Sequence, residues 1–156
     1  MIHDSRYSHQ RTYLNYYQSL LQEINKRNLS DQITFCGARN DIANIYKISD
    51  IVLNLSSKPE PFGRTIIEAA ACGTPSVVSD SPGLRESVRH GETGTLVRHG
   101  DVSALVGALR ELLKDKDLRS KMSIQAHDFA QGFSWDASAA GVESLLQRVV
   151  AEGGPE

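Results

Sequence analysis

Ser56-Ser57-Lys58-Pro59-Glu60-Pro61-Phe62-Gly63-Arg64-Thr65-Ile66-Ile67-Glu68-Ala69-Ala70-Ala71-Cys72-Gly73-Thr74-Pro75 is the stretch whose reading decides the fold. Before it, Ile51-Val52-Leu53-Asn54-Leu55 is a short apolar run suited to a buried parallel strand. Pro59, Pro61 and Gly63 then force an irregular turn. Residues 65–72 favour helix, apart from Thr65 and the two isoleucines. Gly73 is a left-handed stop, and Pro75 prevents continuation. Ser76-Val77-Val78-Ser79 follows at once as the next strand.

Strand, loop, helix and strand in this order put a helix N-terminus at the loop. Its unpaired backbone N–H groups, from about Phe62 to Thr65, and the positive end of its dipole suit a phosphate. Glu60 in the loop and Glu68 inside the helix flank that position. Carboxylates repel phosphate, so their expected partners are neutral hydroxyls, which donate to them in charge-assisted hydrogen bonds. A phosphate between hydroxyl-bearing groups describes a nucleotide sugar.

Outward from the centre, further strands are predicted at 33–36 and 95–97, giving four with 51–55 and 76–79. Helices are predicted over 6–28, 42–48, 84–88, 102–114, from Asp117 to about residue 130, and from Ser134 to about residue 151. In the first, Tyr13, Leu14, Tyr17, Leu20, Leu21 and Ile24 make a core-facing stripe. Asp41 and Asp101 are expected N-caps, and Trp135 an expected packing anchor. Residues 152–156 read as a disordered tail. The alternation predicts a Rossmann-like α/β fold, a parallel sheet with covering helices and a ligand crevice beyond the carboxyl ends of its strands.

The 156 residues fit one domain with a real core, and charged residues at 23% with a net charge of −2 give no nucleic-acid-binding surface. Cys36 and Cys72 read as reduced thiols, fewer than a disulfide framework or zinc site needs. His3, His9, His90, His99 and His127 lack metal-ligand spacing and are assigned to surface or turns, so no metal is expected. No triad or nucleophile elbow is visible. No apolar run approaches the ~20 residues of a membrane span and Met1 begins no signal peptide, so a cytoplasmic location is expected.

Glu60-Pro61-Phe62-Gly63 followed by Glu68-Ala69-Ala70-Ala71-Cys72-Gly73-Thr74-Pro75 resembles the E-x7-E signature of retaining GT-B glycosyltransferases, group 1 or family 4. Phe35-Cys36-Gly37 with Asp41 resembles the family's F-x-G…D segment. Gly83 with Glu86, Gly91-Glu92-Thr93-Gly94-Thr95-Leu96-Val97, Gly100-Asp101 and Phe133-Ser134-Trp135 resemble later landmarks in family order. Where the family often has Gly-Gly, this chain has Pro82-Gly83. The resemblance covers only the later part of the family's C-terminal, donor-binding domain, here 1–151.

That resemblance implies transfer of a sugar from an NDP-sugar of UDP or GDP type to a hydroxyl acceptor with retention, without cofactor or obligatory metal. Glu60, the position it makes catalytic, would hold sugar hydroxyls. Pro61, Phe62, Gly63, Arg64 and Thr65 would meet sugar and diphosphate, and Glu68 the ribose. Gly37, Ala38 and Arg39 would lie beside the base, and Gly83 would approach the donor. The acceptor-binding N-terminal domain, the opening strands and the basic turn that neutralises the diphosphate have no counterpart here. The chain is therefore expected to be a truncated or split enzyme, inactive alone, from cell-surface polysaccharide or glycolipid synthesis. Peripheral membrane association through the missing half, at the inner face, and a homo-oligomeric state are compatible with it. Alternative readings are a non-catalytic nucleotide-sugar-binding module, a subunit of a split enzyme, or another GT-B enzyme such as an epimerase or glycogen-type transferase.

Overall fold

The computed structural model describes residues 5–56, 58 and 60–151, and the chain divides into two compact units, 1–40 and 41–156. Ser57, Pro59, His3, the His9 and Tyr13 side chains and residues 152–156, which also carry sequence-based expectations, lie outside what is described.

In the first unit, α1 spans Ser5–Lys26. It stops two residues short of the predicted end because Asn28 takes a left-handed φ of 55°. The Asn28 N–H then donates to the Asn25 carbonyl and the Leu29 N–H to that of Ile24, closing the helix with a Schellman motif. Tyr17, Leu20, Leu21 and Ile24 are half-buried as the stripe requires, whereas Leu14 is exposed. The strand predicted at 33–36 does not form. So short an apolar run becomes a strand only by gaining a ladder partner. Here Phe35 instead sets its ring edge-on to Tyr17, with centroids 4.9 Å apart.

The second unit is built on a three-stranded parallel sheet of order β1-β2-β3: β1 Val52–Asn54, β2 Ser76–Ser79 and β3 Gly94–Val97. Val52 pairs with Ser76, and Ser76 with Gly94, so all three carboxyl ends lie on one side. Between and after the strands come α2 Ile42–Ile48, α3 Arg64–Ala71, α4 Pro82–Ser87, α5 Val102–Lys114, α6 Lys116–Ala130, a 3-10 turn Gln131–Phe133 and α7 Trp135–Ala151.

Alternation along the strands builds two cores. Val77 and Val97 face α5 and α6, packing with Ala108, Leu112 and Met122. Val78 points the other way and packs with Ile66, Leu84 and Val88 from α3 and α4 and their surroundings. Strand β2 is therefore buried on both faces, as expected of a central parallel strand. A third cluster of Ile67, Ala70, Ala126 and Ala130 joins α3 to α6; its alanines let the two helices approach closely.

Helix ends follow local chemistry. Gly73, at φ 76°, gives α3 its left-handed stop. Its N–H donates to the Ala70 carbonyl, that of Thr74 to Ala69, and the Ser123 hydroxyl to the Gly73 carbonyl, which ties this end to α6. Asp101 caps α5 as expected, its carboxylate accepting from the Ala104 N–H at 2.8 Å. Helix α6 starts one residue before Asp117, because Asp115 is the cap and accepts from Leu118. Ser134 caps α7, accepting from the Ala137 N–H at 3.1 Å.

Two further expectations are corrected. Asp41 stands at the N-cap position of α2, yet its side chain makes no cap hydrogen bond; its backbone carbonyl accepts from Asn44 instead. Trp135 is no packing anchor, since it is 91% exposed at the first turn of α7, a helix with no buried residue. The ring contacts at that corner are made instead by Phe133, 37% exposed, whose ring meets those of Phe129 and Phe62.

Candidate functional site

The candidate site is the segment between the end of β1 and the start of α3. Gly63 is the N-cap of α3 with φ 78°, a left-handed conformation that lets the chain turn sharply into the helix. The Glu60 carboxylate accepts from the Gly63 N–H at 3.3 Å. A negative group thus already sits on the helix N-terminus, where the dipole favours it. The amides of Arg64 and Thr65, in the first turn of α3, precede every possible intrahelical acceptor.

Glu68 lies one turn further along. Its carboxylate pairs with the Arg64 guanidinium at 3.0 Å, across the i, i+4 spacing that puts two side chains on one face. The pair is largely solvated, with the Arg64 side chain 87% exposed, and is worth only about 0.3–0.5 kcal/mol. Tyr46 of α2 is a neighbour that inspection of the sequence missed. Its phenol is held above its ordinary value by burial first, then by the negative field of Glu68 and that of Cys72. The Thr74 hydroxyl donates to the Tyr46 carbonyl at 2.7 Å, fixing α2 against the end of α3.

Helix α4 clamps the loop from one side. A methyl group on Gly83 would stand 2.0 Å from the Glu60 carbonyl oxygen and 2.5 Å from the Pro61 carbonyl. One on Gly63 would stand 2.5 Å from Leu84 and 2.8 Å from the Ser87 hydroxyl. Each glycine makes room for the other's segment. Asp80 holds α4 at its other flank through a two-pronged pair with Arg85, at 2.5 and 3.0 Å, and that hydrogen bonding keeps the Asp80 carboxyl below its usual range.

On the other side the Phe62 ring turns inward, onto the α3–α6 cluster and Phe133. Within the second unit, then, Glu60, Pro61, Phe62, Gly63, Arg64, Thr65, Glu68 and Gly83 are brought together. Gly37, Ala38 and Arg39 belong to the first unit and are exposed. A separate cavity of about 170 Å³ also opens at the carboxyl ends of the strands, between Leu55, Ser79, Arg98, His99 and Asp101. Among the described residues no three His, Cys, Asp or Glu side chains cluster as a metal site. His90 does structural work, its Nδ1 accepting from the Leu96 N–H at 3.0 Å. No described helix is long and apolar enough to cross a membrane.

Comparison with known proteins sets this geometry in context. Residues 14–129 match the family described as Glycosyl transferases group 1. A D-inositol 3-phosphate glycosyltransferase of Rhodococcus erythropolis is 36% identical over 79% of the chain, which covers 28% of that enzyme. Among solved structures, Anabaena HepE in complex with UDP superposes with a TM-score of 0.78 at 29% identity, over 86% of this chain and 37% of that one. The C-terminal domain of a group 1 glycosyl transferase from Francisella tularensis superposes with a TM-score of 0.66 at 26% identity, over 76% of this chain and 62% of that one. The chain spans less than a third of the length of the curated relatives it matches.

Proposed function

Because this chain belongs to the group 1 glycosyl transferases, we propose that it carries the donor-binding part of a GT-B enzyme of family 4, within the C-terminal domain. The complete enzyme moves a hexosyl group from a UDP- or GDP-sugar to a hydroxyl acceptor with retained configuration, on the cytoplasmic side, in the assembly of surface polysaccharide or glycolipid. A separate domain binds the acceptor.

The observation that carries this reading is the arrangement of Glu60, Gly63, Arg64 and Glu68 about one helix N-terminus. In it, Glu68 accepts from ribose hydroxyls once its weak pair with Arg64 opens. Arg64 is then released toward the diphosphate, which the amides of Arg64 and Thr65 also meet. Glu60 exchanges the Gly63 amide for donor-sugar hydroxyls, and acts by holding the sugar. No cofactor or metal enters this scheme. The UDP in the HepE crystals and the likeness to an isolated C-terminal domain support it.

The test is an NMR titration of UDP and GDP into the chain and into Glu68→Ala. The wild type is expected to shift at residues 62–68, with the variant about tenfold weaker, the worth of one charge-assisted bond. Equal affinity in both proteins removes Glu68 from the ribose role, and no shift with either nucleotide sinks the donor-site reading.

A further inference from the structure

The loop that carries Glu60 is enclosed by a circuit of contacts that returns on itself. From α4, Leu84 and Ser87 meet Gly63, and Gly83 meets the Glu60–Pro61 backbone. Between them, Phe62 sets its ring 5.6 Å from Phe133 at an interplanar angle of 55°. Phe133 stacks edge-on with Phe129 of α6, at 5.0 Å and 70°. The Arg89 guanidinium lies 4.7 Å over the Phe129 ring. Arg89 is two residues beyond the last residue of α4, so the circuit closes where it began.

Phe133 is the member furthest along the chain, and the Ser134 cap just after it fixes the corner from which it projects. We propose that Phe133 is a positioning residue for the 60–65 loop, acting through Phe62. Held on its α4 side alone, the loop keeps its turn at Gly63. The Phe62 ring, however, gains rotamers, and with them the Glu60 carboxylate and the amides of the α3 N-terminus lose a fixed relation. This rests on the reading of the loop as the donor-nucleotide site.

The experiment uses the full chain, with UDP as probe and amide hydrogen exchange at residues 62–66 as a second readout. Phe133→Ala is expected to bind UDP about three- to tenfold more weakly, the worth of one or two ring pairs, with faster exchange in that segment. Phe133→Tyr, which keeps the ring, is expected to restore both. Met122→Ala serves as the control; it lies in the β2–α5–α6 core and costs stability without touching the loop. It is expected to leave UDP affinity within about twofold. Wild-type affinity and exchange in Phe133→Ala overturn the proposal. So does an equal loss of affinity in Met122→Ala, which makes the effect one of general stability. If the wild type binds neither UDP nor GDP, the donor-site reading fails. The exchange rates then decide the role of Phe133: faster exchange in the alanine variant upholds it, unchanged exchange ends it.

Discussion

Gly83→Ala and Gly107→Ala add the same methyl group to two helices, and the structure assigns them opposite signs. Gly107 is inside α5, with nothing within 4 Å of the new carbon. There the substitution gains helix propensity, about 0.5–1 kcal/mol of stability. Gly83 is near the start of α4, with its new carbon 2.0 Å from the Glu60 carbonyl oxygen and 2.5 Å from the Pro61 carbonyl. Those atoms are backbone, so no side-chain rotation relieves the overlap. The loop or the helix must move by about an ångström, at the roughly 1–3 kcal/mol typical of overpacking. For a unit of this size that corresponds to a fall in Tm of roughly 3–12 °C, against a rise of a few degrees for Gly107→Ala. Because the displaced atoms belong to Glu60 and Pro61, UDP binding is expected to weaken in Gly83→Ala and stay unchanged in Gly107→Ala. Calorimetry and a UDP titration on both variants check this. A Gly83→Ala protein as stable as Gly107→Ala, with wild-type UDP affinity, refutes the clamp of α4 on the loop.

Leu112, 1% exposed between β2, β3 and α6, is expected to lose about 2–5 kcal/mol on Leu112→Ala, read by urea unfolding. Tyr46 supplies a pH dependence. The folded protein holds the phenol proton more tightly than the unfolded chain does, so this contribution is intact below pH ~10 and lost as pH rises through the raised folded value. Tyr46→Phe is expected to flatten the fall in stability above pH ~10, and an unchanged alkaline limb in urea melts contradicts that assignment.

The elements legible in the sequence are those set by local chemistry. Helix α5 begins after Asp101 and ends at Lys114 as read, because its cap is three residues from the N–H it accepts. Gly73 stops α3 for a similar reason, and β2 shows its two-sided burial as an unbroken Val-Val centre. What failed depended on partners distant in the chain. Residues 33–36 have strand composition, but composition supplies no ladder. Trp135 has the size and apolar surface of a packing residue and is 91% exposed, while the ring contacts of that corner are made by the smaller Phe133, itself 37% exposed. Gly83 reads as a turn residue approaching the donor; its packing against the Glu60 and Pro61 backbone depends on how α4 meets the loop and left no mark in the sequence. Tyr46 gave no signal, because its burial and its link to Thr74 depend on how α2 packs beside α3.

The charge distribution at the loop decides how tightly such a site holds a diphosphate. The α3 N-terminus contributes about 0.3–1 kcal/mol at an exposed position, and the Glu60 carboxylate already occupies part of that field. Arg64 adds a cation only after leaving Glu68, and that exposed pair costs a few tenths of a kcal/mol to open. These terms fall well short of the ~4 kcal/mol of millimolar binding. On the donor-site reading proposed above, most of the affinity therefore comes from hydroxyl and base contacts. On the proposed reading Glu68→Ala, which removes hydroxyl contacts, weakens UDP binding more than Arg64→Ala does, although Arg64 carries the charge opposite to the ligand's. The reverse order would make the site an electrostatic one and return Glu68 to the role of Arg64's partner.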